Sequence, residues 1–156
     1  MKSFPALALL TSLLLVGTAH ATAAEHIRAS HAWIRVLPGN LPAGAYVTLE
    51  NDSDQATALS SASSTTYAEV MLHQSSMQGG MSHMTMVDSL TLPAHGKAVL
   101  APASYHLMLM RPISQVKPGD TVRLLLKFSD GSILPADFIA RPANALGAGD
   151  ENTAKP

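Results

Sequence analysis

Apolar residues in this chain recur at every second position in short runs, and turn residues interrupt each run, which confines the fold to β-structure. Residues 121–128 are the clearest case: Val122, Leu124 and Leu126 alternate with Thr121, Arg123 and Leu125. Residues 27–36 alternate more loosely, with Ala32, Ile34 and Val36 on one face, until Pro38-Gly39-Asn40 and Pro42 end the run. Residues 46–50, 57–61, 69–75, 84–87, 97–100, 106–110 and 132–140 read as further strands. Asn51-Asp52-Ser53-Asp54, Gln78-Gly79-Gly80 and Asp130-Gly131 are the turns between some of them. No stretch carries a convincing helical period. Eight or nine short strands at regular spacing predict an antiparallel sandwich or barrel. Asn51-Asp52-Ser53 also fits a glycosylation acceptor, but an ordinary turn explains it better.

The ends of the chain differ from its middle. Met1-Lys2-Ser3 supplies a positive charge, residues 6–16 are apolar apart from Thr11 and Ser12, and Ala19-His20-Ala21 is a small-x-small site. That order is a secretory signal peptide over residues 1–21, with cleavage after Ala21 or, alternatively, after Ala24. The apolar run falls short of the roughly 20 residues a spanning helix needs. Cleavage predicts export to the periplasm, and loss of Lys2 shifts the net charge from −1 to −2. A nearly neutral chain with no basic stripe excludes nucleic acid as a natural partner. Residues 22–141 form the expected domain, and the small, polar residues 142–156 read as a disordered tail.

The chain has no cysteine, which excludes disulfide staples, thiol chemistry and every thiolate metal site. It has instead eight methionines and seven histidines, and five of the methionines fall within residues 71–86. Two segments concentrate these residues: Met71-Leu72-His73 with Met77, Met81, His83, Met84 and Met86, and His106-Leu107-Met108-Leu109-Met110. Positions i and i+2 of a strand share a face, so His106, Met108 and Met110 point one way and Leu107 and Leu109 the other. The leucines suit a core. Thioether sulfur is soft and neutral and binds copper(I) better than it binds hard ions, whereas imidazole suits copper and zinc alike. A set of histidines and methionines with no cysteine and no carboxylate cluster therefore favours copper(I). Met77 and Met86, taken singly, read as packing or solvated groups, His31 and His95 as surface or capping groups, and His26 as a flexible residue just after the cleavage site. Met71, Met81, His83 and Met110 stay open as alternate ligands. His73, Met84, His106 and Met108 stand apart by falling into the pattern H-x10-M-x21-H-x-M.

That pattern, together with His31-Ala32-Trp33-Ile34-Arg35, residues 43–51, Val70-Met71-Leu72-His73 and residues 117–122, resembles the periplasmic copper chaperones called PCuAC over nearly all of the mature chain. The resemblance implies a cupredoxin-like, antiparallel Greek-key β-sandwich. It implies a copper(I) site of His73, Met84, His106 and Met108, and copper handling for the respiratory cytochrome oxidase, often beside a thiol-bearing partner chaperone. Two departures stand out. The family usually has Pro-Gly-Gly before its Tyr-His pair, and here Pro102-Ala103-Ser104 precedes Tyr105-His106. If a glycine there adopts positive φ, Ala103 or Ser104 carries strain. After Met110 the family often has glycine, and here Arg111-Pro112 follows.

The function expected is thus a monomeric chaperone that holds one copper(I) and hands it over, with ligand exchange through a mobile, methionine-rich loop over residues 77–86. Passive copper buffering is the alternative, and a protein-interaction domain with a sticky methionine patch is a third. No nucleophile–base motif, paired carboxylates or phosphate loop supports an enzyme.

Overall fold

The structure, a computed structural model, describes residues 21–149. All but the last residue of the expected signal segment, and residues 150–156, lie outside the described residues. Within them run a helical turn α1 (Ala23–His26) and ten strands: β1 (Ile27–Arg35), β2 (Ala43–Asn51), β3 (Thr57–Ser64), β4 (Tyr67–Gln78), β5 (Met81–Met86), β6 (Leu90–Leu92), β7 (Lys97–Leu100), β8 (Tyr105–Pro112), β9 (Thr121–Phe128) and β10 (Ile133–Arg141). The expected all-β, sandwich-type fold is what the chain forms. Its strands pair in the order β5-β4-β8-β2-β1-β10-β9-β3-β6, with β7 also on β2. Every pair is antiparallel except β1 with β10, which run parallel through Trp33↔Ile139 to Arg35↔Arg141.

One buried cluster joins the inner faces. Ile34, Leu49, Leu59, Leu92, Leu107, Leu109, Leu124, Leu126, Phe128 and Phe138 are all fully buried in it. β9 follows its alternation, with Val122, Leu124, Leu126 and Phe128 inward. Leu107 and Leu109 anchor β8 so firmly that truncating either to alanine should cost about 2–5 kcal/mol.

β1 reaches the core by a switch of faces. Its register against β2 shifts between Ser30 and Trp33, where His31 takes φ 51°. The extra residue lets Ile27 and Ala29 face inward before the bulge and Ala32, Ile34 and Val36 after it. Trp33 and Arg35 are thereby sent to the outer face, where Trp33 pairs with Tyr46 of β2.

Two expectations change. Residues 77–86 are not a loop: β4 and β5 are a regular hairpin paired from His73↔Met86 to Gln78↔Met81. Gly79 and Gly80, with φ 58° and 78°, supply the two left-handed residues that a two-residue turn matched to strand twist requires. Nor does packing stop at residue 141. Ala145 is buried against Trp33 and Tyr46, its carbonyl accepts hydrogen bonds from Arg35 Nε and Nη2 at 3.2 and 2.7 Å, and Arg141 Nη2 donates to the Ala148 carbonyl.

Candidate metal centre

The centre grows from the pairing of β4 with β8. His73 lies directly opposite His106, Met71 opposite Met108, and Glu69 opposite Met110. Residues opposite one another in an antiparallel pair share a face. The rungs between them hold Leu72 with Leu107 and Val70 with Leu109. Leu72, Leu107 and Leu109 are buried, so the hydrophobic effect on one face fixes the histidines and methionines on the other. The alternation of leucine with His106, Met108 and Met110 thus does what the sequence pattern implies.

The two imidazoles meet edge to face, with centroids 5.8 Å apart and planes at 87°. His106 is only 5% exposed, and its Nδ1 lies 3.1 Å from the Ser104 carbonyl. A carbonyl only accepts, so Nδ1 carries the proton and Nε2 is left with its lone pair for a metal. The Ser104 carbonyl is itself held, since it also accepts from the Ser75 backbone N–H at 3.1 Å. Burial, and secondarily the facing His106, hold the His73 imidazole below its ordinary range, which favours the neutral, ligating form.

Met84 reaches this pair from β5. It lies opposite Ser75 and so on the same face as His73, and its Sδ is 3.3 Å from His73 Nδ1. Two ligands of one tetrahedral ion, with bonds of about 2.0 Å to nitrogen and 2.3 Å to sulfur, sit about 3.5 Å apart, so the two atoms already have nearly that spacing. Met108 lies one rung-pair along, between Met71 on β4 and Gly44 on β2. Gly44 has no room for a side chain, because the Tyr46 hydroxyl is 2.6 Å from where a Cβ would stand. Tyr46 then continues the row of rings, 6.4 Å from His106 on one side and 4.6 Å from Trp33 on the other, with the Arg35 guanidinium 5.5 Å from the Tyr46 centroid and 5.3 Å from that of Trp33. This wall was not read from the sequence as part of the site. Trp33 and Arg35 showed only as strand residues, and the bulge that turns them outward carries no sequence signal of its own.

The alternate ligands separate by register. Met110 is two rung-pairs, about 13 Å, along β8 from His106, beside the ion pair of Glu69 with Arg111. Met81 and His83 pair with Gln78 and Ser76, on the opposite face of the hairpin from His73. Met71 shares the rung of Met108, and Met86 lies opposite His73. Among the described residues, no three histidine, cysteine, aspartate or glutamate side chains gather to hold a metal ion. The further donor that the structure places against the imidazoles is the Met84 thioether, a donor type that suits copper(I) better than zinc.

Both departures from the glycine pattern are strained. Ala103 has φ 62° and Arg111 φ 52°, so left-handed residues flank the paired stretch of β8 that carries His106, Met108 and Met110. A non-glycine residue there costs about 1–2 kcal/mol.

Several proteins are similar to this chain. "Putative lipoprotein Lxx21020" of Leifsonia xyli subsp. xyli (strain CTCB07) is 27% identical over 130 residues, which cover 83% of this chain and 76% of the other. The solution structure of CuI-DR1885 from Deinococcus radiodurans is 35% identical over 70% of this chain and 74% of its own, with a TM-score of 0.58. The apo-DR1885 structure from the same organism is 29% identical over 91% and 96%, with a TM-score of 0.59. The copper-bound PCuAC domain from PmoF2 shares the fold, with a TM-score of 0.64 over 80% of this chain and 99% of its own, at 22% identity. The family described as "Putative lipoprotein LpqE-like" matches residues 27–138, from the first residue of β1 into β10, and the chain belongs to this LpqE-like family.

Proposed function

We propose that the protein is an exported copper(I) carrier whose single ion is held by His73, Met84, His106 Nε2 and Met108. The observation that carries this reading is the meeting of two imidazoles with a thioether, Met84 Sδ 3.3 Å from His73 Nδ1, at a place where, among the described residues, no carboxylates gather. The likeness to CuI-DR1885 and to a copper-bound PCuAC domain supports the choice of ion. The four ligands are neutral and soft, so an acceptor bearing thiolates draws copper(I) away from them. The resemblance to the PCuAC chaperones points this delivery toward the copper centre of the respiratory cytochrome oxidase, directly or through a thiol-bearing chaperone. Residues 1–21 act as the signal that brings the chain to the periplasm, in keeping with the relative's name as a lipoprotein. The role is one of carriage as a monomer, with no catalytic step.

Titration of the mature protein with copper(I) against a competing chelator tests this. One tight equivalent, retained in the presence of zinc, is expected. Preferential retention of zinc would overturn the assignment.

One observation favours passive buffering instead: Met84 sits on a paired strand rather than on a free loop. That strand, however, is the edge of the sheet, bonded among the described residues only to β4, and all six of its residues are exposed. Opening at an edge strand lets Met84 move away from the imidazoles without disturbing the buried rungs. Transfer to an apo acceptor faster than release into chelator distinguishes carriage from storage.

A further inference from the structure

Three thioethers extend from the centre along one face of the β4–β5 hairpin. Met86 lies opposite His73, Met84 opposite Ser75, and Met77 opposite Ser82, and all three point to the side of the sheet that carries the imidazoles. They are open to solvent, with exposures of 63%, 52% and 69% respectively. Burial thus explains none of them. The arm is also free of charge, since residues 70–87 include no Asp, Glu, Lys or Arg. Its hydrogen-bonding side chains are serine, threonine, glutamine and histidine, which do not repel a monovalent cation.

We infer that Met77, Met84 and Met86 form a thioether track, a secondary station at which the hairpin holds a soft monovalent cation after it leaves the imidazoles. This inference rests on the copper-carrier reading and names the path by which the ion leaves. Met84 and Met86 are two residues apart on one strand, about 6.6 Å. Met77 is the diagonal neighbour of Met84 across the hairpin, about 7–8 Å away between backbones. Methionine has three rotatable side-chain bonds, so either neighbour can lean toward Met84 and bring two sulfurs to one ion. Met84 is the shared ligand. The ion gives up His73, His106 and Met108 and gains Met86 or Met77 while Met84 stays bound, passing from four donors to two, and it ends at the hairpin tip. Every donor lost or gained is neutral, so the ion stays monovalent and no electron moves. The station lacks imidazole and is weaker than the primary site, which lets an acceptor empty it.

Met81 is the internal control. It belongs to the same hairpin and is 64% exposed, but it pairs with Gln78 on the other face. Silver(I), a soft monovalent ion with no accessible redox change, is the probe. In wild-type protein one tight silver equivalent is expected. Met77→Leu with Met86→Leu should leave that affinity unchanged and slow transfer to a thiolate chelator by about tenfold. Met81→Leu should change neither. In His73→Leu, excess silver should shift the ε-methyl resonances of Met77, Met84 and Met86 together and leave that of Met81 in place. Transfer at the wild-type rate in the double variant, or slowing of equal size in Met81→Leu, would overturn the track. Equal methyl shifts at Met81 would do the same. Absence of the tight equivalent in wild-type protein would instead sink the carrier reading, so the two failures are distinguishable.

Discussion

Histidines stand at both ends of β2, and their surroundings differ completely. At the end near Asn51, His26 Nδ1 lies 3.0 Å from Asp52 Oδ1, Arg28 Nη2 lies 3.2 Å from Asp52 Oδ2, and His95 Nε2 lies 2.6 Å from Asp54 Oδ1. Toward the other end, about 17 Å along the strand from Asn51, beside Tyr46, His106 and His73 face each other, a backbone carbonyl and a thioether. Neither forms an ion pair among the described residues. A carboxylate stabilises an imidazole that has taken a proton. A carbonyl on Nδ1 and a sulfur beside the ring do not neutralise charge; they orient lone pairs. The same side chain is thus a surface electrostatic group at one end of the strand and, in the proposed function, a ligand for a soft cation at the other, and its neighbours decide which.

Removing imidazoles breaks this comparison most sharply. His106→Ala deletes the most buried of the proposed ligands, and copper(I) affinity should fall by at least about a hundredfold, some 2.7 kcal/mol. His95→Ala should leave affinity within about twofold, because His95 belongs to the carboxylate end. Competition titrations of both variants check this. Similar losses in the two would mean that the ends are not functionally distinct.

Methionine substitutions sharpen it at the scale of a single strand. Met108 and Met110 share a face of β8, but only Met108 adjoins the His73–His106 rung-pair. Met108→Leu keeps the bulk, removes the sulfur, and should weaken binding by about tenfold or more. Met110→Leu should leave binding unchanged. If Met71→Leu matched Met108→Leu, the fourth ligand would be drawn from either side of that rung.

How much of this was legible before folding depends on the kind of interaction. Alternation in β8 and β9 announced itself, because a buried leucine every second residue leaves a period that side-chain types reveal. The His73, Met84, His106 and Met108 spacing pointed to one place, and the register brings His73, His106 and Met84 into contact there. β6 escaped notice because Leu90-Thr91-Leu92 is too short to show a period. The bulge at His31 was invisible because it depends on which register buries more of β1, not on any residue's preference. Ser104 acts through its carbonyl, which every residue has, so nothing in the side chain marks it. Gly79-Gly80 did announce a turn and residues 84–87 read as a strand, but Met77 and Met81 have weak strand preference and few buried partners, so the stretch between the strands looked like loop. Ala145 is a small residue in a small, polar stretch, and only its contact with Trp33 and Tyr46 sets it apart.

Strain offers a gentler test within the metal-bearing half. Ala103 sits at φ 62° in the turn that presents the Ser104 carbonyl to His106. Glycine tolerates that conformation, so Ala103→Gly should stabilise the protein by about 1 kcal/mol, the relief of strain exceeding the added unfolded-state entropy. The thermal midpoint should rise by about 3 °C. Copper affinity should hold if the carbonyl keeps its place. A lower midpoint would show that the turn's rigidity matters more than its strain.

The smallest effect belongs to the carboxylate end, and acid reveals it. Hydrogen bonds from His26 and then Arg28 hold the Asp52 carboxyl below its ordinary value of 3.8. A carboxyl depressed in the folded state binds a proton less readily there than in the unfolded chain. Its stabilisation is therefore fully present above about pH 4 and is lost as pH falls through the folded value. Asp52→Asn removes that dependence. Between about pH 5 and pH 2.5 the thermal midpoint of wild-type protein should fall more steeply than that of the variant, and the gap should close at the acid end. The pair is exposed, so the difference should be slight and should shrink further in about 1 M salt, where the screening length is near 3 Å. Copper affinity at neutral pH should not respond to the substitution, because none of the proposed ligands lies at that end of β2. Parallel acid profiles for the two proteins would show that Asp52 forms its contacts without stabilising the fold. A change in copper affinity would show that the two ends of the strand are coupled after all.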